Sequence, residues 1–206
     1  MNVDIHIWVE KMKINDIITN VKVYGLEDSV RASKYPMATD IESCTEDITD
    51  RVRSLGRSEV GSGHDNYLNG IIVQFDLTFT IKAWTEAERY HFFDFVSSQS
   101  TMHRIPQFDP DKQCIEYVTD NTRNEIKRLL DEYNADKSNE NYLKLLYNVP
   151  TGFCLTARMT TNYRQLKTMY YQRKNHRLPE WRTFCDWILS LPYFEELCLR
   201  KEDEGK

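Results

Sequence analysis

The stretch GSGHDNYLNGIIVQFDLTFTIKAWTEAERYHFFDFVSSQSTMHRI, residues 61 to 105, decides the fold. It opens with a glycine-bounded polar loop carrying His64, Asp65, Asn66 and Asn69. An apolar run over residues 71 to 83 follows, with Ile71, Val73, Phe75, Leu77, Phe79 and Ile81 on one face at period two. Such alternation marks a strand with one buried face. Thr85, with Glu88 three residues on, has the form of a capping box and predicts that a helix starts there. That helix is expected to end in the polar tip Ser97-Ser98-Gln99-Ser100-Thr101-Met102-His103-Arg104. A loop, a buried strand and a polar-tipped helix put ligand-facing groups at both ends of a rigid element. The same residues also admit a plain core unit, with Glu86 and Arg89 as a surface pair and His91 as a partly buried histidine.

Composition narrows the surroundings. The 206 residues are 40% apolar and 12% aromatic, enough for one domain with a substantial core. A formal net charge of −5 argues against binding nucleic acid through bulk charge. Five cysteines, an odd number with no Cys-x-x-Cys pair, read as reduced thiols of a cytosolic protein without a zinc site. The N-terminal MNVDIHIWVEKMK lacks a secretory pattern, and no apolar run reaches membrane-spanning length. The expectations are a cytoplasmic protein with no membrane partner and no metal.

Outward from the central stretch, Val3, Ile5, Ile7 and Val9 alternate and predict a first strand, and Ile18, Val21 and Val23 a second. Asp28 or Ser29 is expected to start a short helix that stops before Pro36. Thr45 is expected to cap a helix that runs to Leu55 and ends at Gly56. Beyond the central stretch, Asp120 or Asn121 opens an amphipathic helix with Ile126, Leu129, Leu130 and Tyr133 on one face. A second helix, YLKLLYN, is closed by Pro150, so that residues 106 to 148 form a helical insertion or arm on a single domain. Phe153, Leu155, Ala157 and Met159 then alternate as a strand, and Thr160, Thr161 and Asn162 offer successive N-caps for a helix burying Leu166, Met169 and Tyr170. Pro179 suits the first turn of a last long helix with Trp181, Phe184, Cys185 and Ile188 inward. The tail RKEDEGK is expected to fray. The predicted class is α/β (α+β), a mixed sheet flanked by helices.

Charge is uneven. From Asn141 to Pro179 there is no Asp or Glu, while Lys144, Arg158, Arg164, Lys167, Arg173, Lys174 and Arg177 all fall there. Arginine suits bidentate contact with phosphate, and a helix start near Asn162 adds backbone N–H donors. A solvated helix face is the alternative reading. No Ser-His-Asp order, paired carboxylates, P-loop or dinucleotide fingerprint is present. What remains is a phosphate-bearing ligand or cofactor held by binding and electrostatics.

Two blocks resemble the flavin-dependent thymidylate synthases. The first runs Gly63-His64, the apolar strand, Trp84, then Arg89-Tyr90-His91 and SSQS at 97 to 100. It follows the family's Gly-His loop, strand, tryptophan, Arg-His-Arg motif and downstream serine. The second is TNYRQL with Asn162, Arg164 and Leu166, then Arg173, His176 and Glu180-Trp181. VRASK at 30 to 34 is similar to an early family stretch that places Ser33 near the nucleotide.

The resemblance implies a homotetramer with FAD and dUMP at subunit junctions, NADPH reducing the flavin and methylenetetrahydrofolate supplying the carbon. It implies His64, Asn66, Asn69, Arg89, His91, Asn162, Arg164 and Thr168 around the flavin. Ser33, Glu86, Ser98, Gln99, Ser100, Arg104 and Arg173 would line the pyrimidine nucleotide, with Arg89, Ser100 and Arg173 at the chemistry. The chain departs from the pattern at Tyr90 and His91, where His and Arg stand in the family. It also departs at Asn69 for glutamate, Glu86 for glutamine, Met102 for arginine, and Leu145-Leu146-Tyr147 for Ala-Arg. Two other readings stay open: a different pyrimidine nucleotide or one-carbon group, and a non-catalytic nucleotide- or phosphate-binding protein on the same scaffold.

Overall fold

A computed structural model describes residues 17 to 200, so the strand expected over residues 3 to 9 and most of the charged tail lie outside the described residues. The elements are β1 (Ile18–Tyr24), α1 (Leu26–Ala32), α2 (Asp50–Gly56) and β2 (Ile72–Thr80). After them come α3 (Ile81–Ala87), β3 (Asp94–Ser98), α4 (Asp120–Ala135) and α5 (Asn139–Tyr147). The chain closes with β4 (Cys154–Asn162), α6 (Tyr163–Arg173), α7 (Pro179–Leu189) and α8 (Phe194–Cys198). The strands form one sheet in the order β1-β2-β4-β3, antiparallel throughout and flanked by helices. The architecture is α+β.

Alternation in β2 does what it predicts. Ile71, Val73, Phe75, Leu77 and Phe79 are all fully buried. Phe75 lies 4.5 Å from Trp187 and Phe79 lies 5.0 Å from Trp181, ring centre to ring centre, so α7 covers the inner face of the sheet. Trp181, Phe184, Cys185 and Ile188 face inward as their spacing requires. Ile81 leaves this face, because it is the first residue of α3 and packs on a second, smaller core. That second core gathers Ile105, Cys114, Ile126, Leu129, Leu145 and Phe153 under α4 and α5.

Several expected boundaries move, each for a local reason. Thr80, not Thr85, caps α3: its hydroxyl accepts from the Ala83 N–H at 3.1 Å. Thr85 lies inside α3 and donates to the Lys82 carbonyl. The helix ends at Ala87 instead of running on to the polar tip at residues 97 to 104. Phe92, at φ 58, turns the chain, and residues 94 to 98 pair as β3 along the open edge of β4. Thr45 does not cap α2 either, because its carbonyl and hydroxyl both accept from Lys34 Nζ. Thr49 takes that role. The early helix starts at Leu26, not at Asp28 or Ser29, behind Gly25 at φ 70. A Cβ on Gly25 would stand 2.6 Å from the Gly70 carbonyl oxygen, so the turn needs glycine on both counts. Ser138 starts α5 ahead of Tyr142, and Asn162 is the cap of α6.

Candidate functional site: a cleft between the Arg89 turn and helix α6

Helix α6 organises the polar residues. Its outer face carries Arg164, Gln165, Thr168, Gln172 and Arg173, the i, i+4, i+8 row and its neighbours. Opposite it, the turn after α3 presents Arg89, Tyr90 and His91. Together Arg89, Tyr90, His91, Gln165, Thr168, Gln172 and Arg173 line a cleft of about 390 Å³. That size falls in the range of small-molecule sites. Four residues singled out from sequence, Arg89, His91, Thr168 and Arg173, meet here.

Arg173 is held from several sides. Its Nε donates to Tyr90 Oη at 2.7 Å, and Nη1 lies 3.0 Å from Glu86 Oε2. The guanidinium stacks 4.8 Å from the Trp181 ring centre and 5.4 Å from that of Tyr90. Tyr90 in turn donates to Gln172 at 2.9 Å. Glu86 also pairs with Lys82 at 3.2 Å and faces His176 Nε2 at 3.3 Å. Burial pushes the Glu86 carboxyl up, but Lys82, His176 and Arg173 together hold it below its ordinary value. His176 is held below the ordinary histidine value, chiefly by burial, with Arg173 adding to the effect against Glu86.

A second cluster lies at the start of α6. Asp65 is fully buried and binds Arg164 Nε at 2.9 Å and Lys167 Nζ at 3.0 Å. Lys167 also donates to the carbonyls of Gly56 and Ser58. These bonds pin the polar loop to the helix and leave His64, Asn66 and Asn69 exposed on its outside. Asn162, expected at the flavin, uses its side-chain oxygen to accept from Gln165 N–H at 2.9 Å.

A third group stands apart. Ser98 pairs opposite Ala157, and Gln99 bonds Thr156 through both backbone and side chain. Ser100 precedes a single helical turn, Thr101–Arg104, in which Arg104 is exposed. This is the far end of the β3–β4 ladder from the cleft. The four-residue step from Asp94 to Ser98 alone covers on the order of 13 Å. Within one chain the structure does not bring Ser98, Gln99, Ser100 or Arg104 to Arg173. Ser33 sits at the end of α1 and donates to the Val30 carbonyl at 2.7 Å.

The acid-free block is therefore not an open cationic field. Arg158 pairs with Asp76, Arg164 and Lys167 with Asp65, Arg173 with Glu86, and Lys144 with Glu140. Sequence reasoning missed Lys167 as a buried anchor. Its place beside Tyr163, Leu166 and Tyr170, the inward row of α6, was the available signal. Gln165 and Gln172 were missed because a lone polar residue on a helix carries no signature, and Tyr90 was read only as a departure from the Arg-His-Arg motif.

Burial raises the thiols of Cys154 and Cys185 to about 12, and Cys114 and Cys198 are raised too. These four stay protonated at neutral pH and are poor nucleophiles. Among the described residues, no group of three or more His, Cys, Asp or Glu side chains is placed to hold a metal ion. No described helix is long and apolar enough to cross a membrane.

No protein-family model matches the chain, and no curated protein matches it in sequence. Solved structures do match its fold. A flavin-dependent thymidylate synthase, ThyX from Helicobacter pylori complexed with FAD and dUMP, superposes with a TM-score of 0.66 at 14% identity, over 88% of this chain and 100% of that one. This chain has the flavin-dependent thymidylate synthase fold. A second structure of the Helicobacter pylori enzyme with FAD and dUMP gives a TM-score of 0.65 at 14% identity, over 89% and 96% of the two chains. At that identity the likeness carries the fold alone.

Proposed function

We propose that the chain is a flavin-dependent enzyme of pyrimidine nucleotides, carrying out FAD-dependent reductive methylation of dUMP with methylenetetrahydrofolate and NADPH. The observation that carries this reading is the convergence of Arg89, His91, Thr168 and Arg173 on one cleft of about 390 Å³. The fold likeness to proteins described with FAD and dUMP supports it.

The residues fit a flavin. The cleft wall is rich in hydrogen-bond donors and holds no carboxylate, which suits the carbonyls and ring nitrogens of an isoalloxazine. Bound there, the flavin supplies hydride transfer. Arg89 and Thr168 orient it, and the Asp65–Arg164–Lys167 anchor fixes the loop that presents His64, Asn66 and Asn69. Arg173, stacked on Trp181, holds the reacting pyrimidine. Tyr90 and Gln172 keep the guanidinium in place, so that its N–H groups are already aimed at a pyrimidine carbonyl.

Ser98, Gln99, Ser100 and Arg104 are then read as belonging to a neighbouring copy's site. Their separation from Arg173 along β3 supports a site completed between subunits, and the homotetramer is read from the family resemblance. Residues 106 to 148 are read as a helical arm on a single domain, and the setting as the cytoplasm. Rescue of a thymidine-requiring bacterial host tests the activity directly. Growth without thymidine supports it, and its failure with a well-expressed, flavin-loaded protein excludes dUMP methylation. The second reading, a non-catalytic nucleotide-binding protein, is favoured by one observation: Glu86 already neutralises Arg173.

A further inference from the structure

Arg173 carries its own counter-ion. Glu86 approaches from α3, behind the cleft wall, and its carboxylate takes Nη1 of Arg173 at 3.0 Å while also holding Lys82 at 3.2 Å. Both side chains are largely shielded, at 16% and 20% exposure, so solvent screens the pair only in part. Arg173 lines the cleft and Glu86 does not. A ligand entering the cleft therefore meets arginine N–H groups whose charge is partly offset from the rear. A tetrahedral oxyanion placed on Arg173 would gain less than it would from a lone guanidinium, and would stand close to a carboxylate of its own sign. A neutral carbonyl keeps its hydrogen bond and meets no such repulsion.

We propose that Glu86 is a specificity-determining residue: it makes the Arg173 wall select a neutral hydrogen-bond acceptor and reject an oxyanion such as a phosphate group. This deepens the reading of the cleft as the ligand site, and rests on it. It also assigns the nucleotide's phosphate to some other part of the site. The plain alternative is that the Glu86–Arg173 bridge only ties α3 to α6. A structural bridge, once broken, changes stability without creating anion affinity.

The test uses inorganic phosphate as the probe, titrated by calorimetry into the full chain, so it needs neither flavin nor nucleotide. Glu86→Gln keeps the side-chain volume and an oxygen facing Arg173 but removes the charge. The variant is expected to bind phosphate about tenfold or more tighter than wild type. The gain is expected to vanish in Glu86→Gln/Arg173→Gln, and uridine affinity to differ little between wild type and Glu86→Gln. If Glu86→Gln folds poorly, Glu86→Ser removes the same charge and is expected to show the same gain. Equal phosphate affinity in wild type and in a folded variant overturns the proposal. So does a gain that persists without Arg173. FAD binding by the wild type is measured separately, so loss of the flavin reading and loss of this proposal are distinguishable.

Discussion

Lys167 Nζ lies 3.0 Å from Asp65 Oδ2, with the two side chains 1% and 0% exposed. The carbonyls of Gly56 and Ser58 complete the lysine's hydrogen bonds. A buried pair of this kind gives little net stability, but leaving one member alone strands an uncompensated charge. Asp65→Ala and Lys167→Met are each expected to cost about 3–5 kcal/mol, read from urea unfolding curves. Asp65→Leu/Lys167→Met is expected to cost less than the sum of the two single changes.

The loop held by Asp65 is also held by Arg164. Arg164→Ala is expected to lower FAD occupancy, because His64, Asn66 and Asn69 lose one of the bonds that place them. Absorbance of the purified variant checks this. A variant as yellow as wild type would rule out Arg164 as a contributor.

Arg173→Ala is expected to weaken dUMP binding without unfolding the chain, since Trp181 and Tyr90 remain packed behind it. Calorimetry against dUMP, with circular dichroism as the folding control, measures both. Unchanged affinity would remove Arg173 from the site.

Thr80 joins two jobs. Its hydroxyl donates to the buried Glu180 carboxylate at 2.5 Å and accepts from the Ala83 N–H at the start of α3. The other carboxylate oxygen, Oε2, is buried without a partner among the described residues. Thr80→Val removes the cap and a hydrogen bond to that carboxylate, and is expected to cost roughly 2–4 kcal/mol. Thermal unfolding of the variant checks the size.

His176 makes stability depend on pH. Burial holds it below the unfolded value near 6.5, so the folded chain takes up that proton less readily than the unfolded chain. Its contribution is complete above about 6.5 and is lost as pH falls from there through the lower folded value. Melting temperature is expected to drop between pH 7 and about pH 5.5, and less steeply in His176→Asn.

The sequence made some of this plain and hid the rest for physical reasons. β2 was legible because Val73, Phe75, Leu77 and Phe79 on one face are fully buried, and burial is what enforces period two. α7 was legible because Trp181, Phe184, Cys185 and Ile188 all face one core. β3 was not, because every one of its residues is exposed. Pairing with β4 is what makes it a strand, and no local pattern encodes that. Thr85 and Glu88 formed a persuasive capping box, yet Thr80 stands where the strand ends, and extended backbone there decides the cap. The acid-free block misled most. Arg164, Arg158 and Arg173 are paired with Asp65, Asp76 and Glu86, at separations of 99, 82 and 87 residues that only the fold brings together.

The measurement that tests the central claim most directly is a titration of FAD into the purified full chain, followed by visible absorbance with and without dUMP. Flavin bands that saturate, and then shift when dUMP is added, are the predicted result. A chain that takes up no flavin under any condition would contradict the account, leaving the cleft of Arg89, His91, Thr168 and Arg173 without its cofactor.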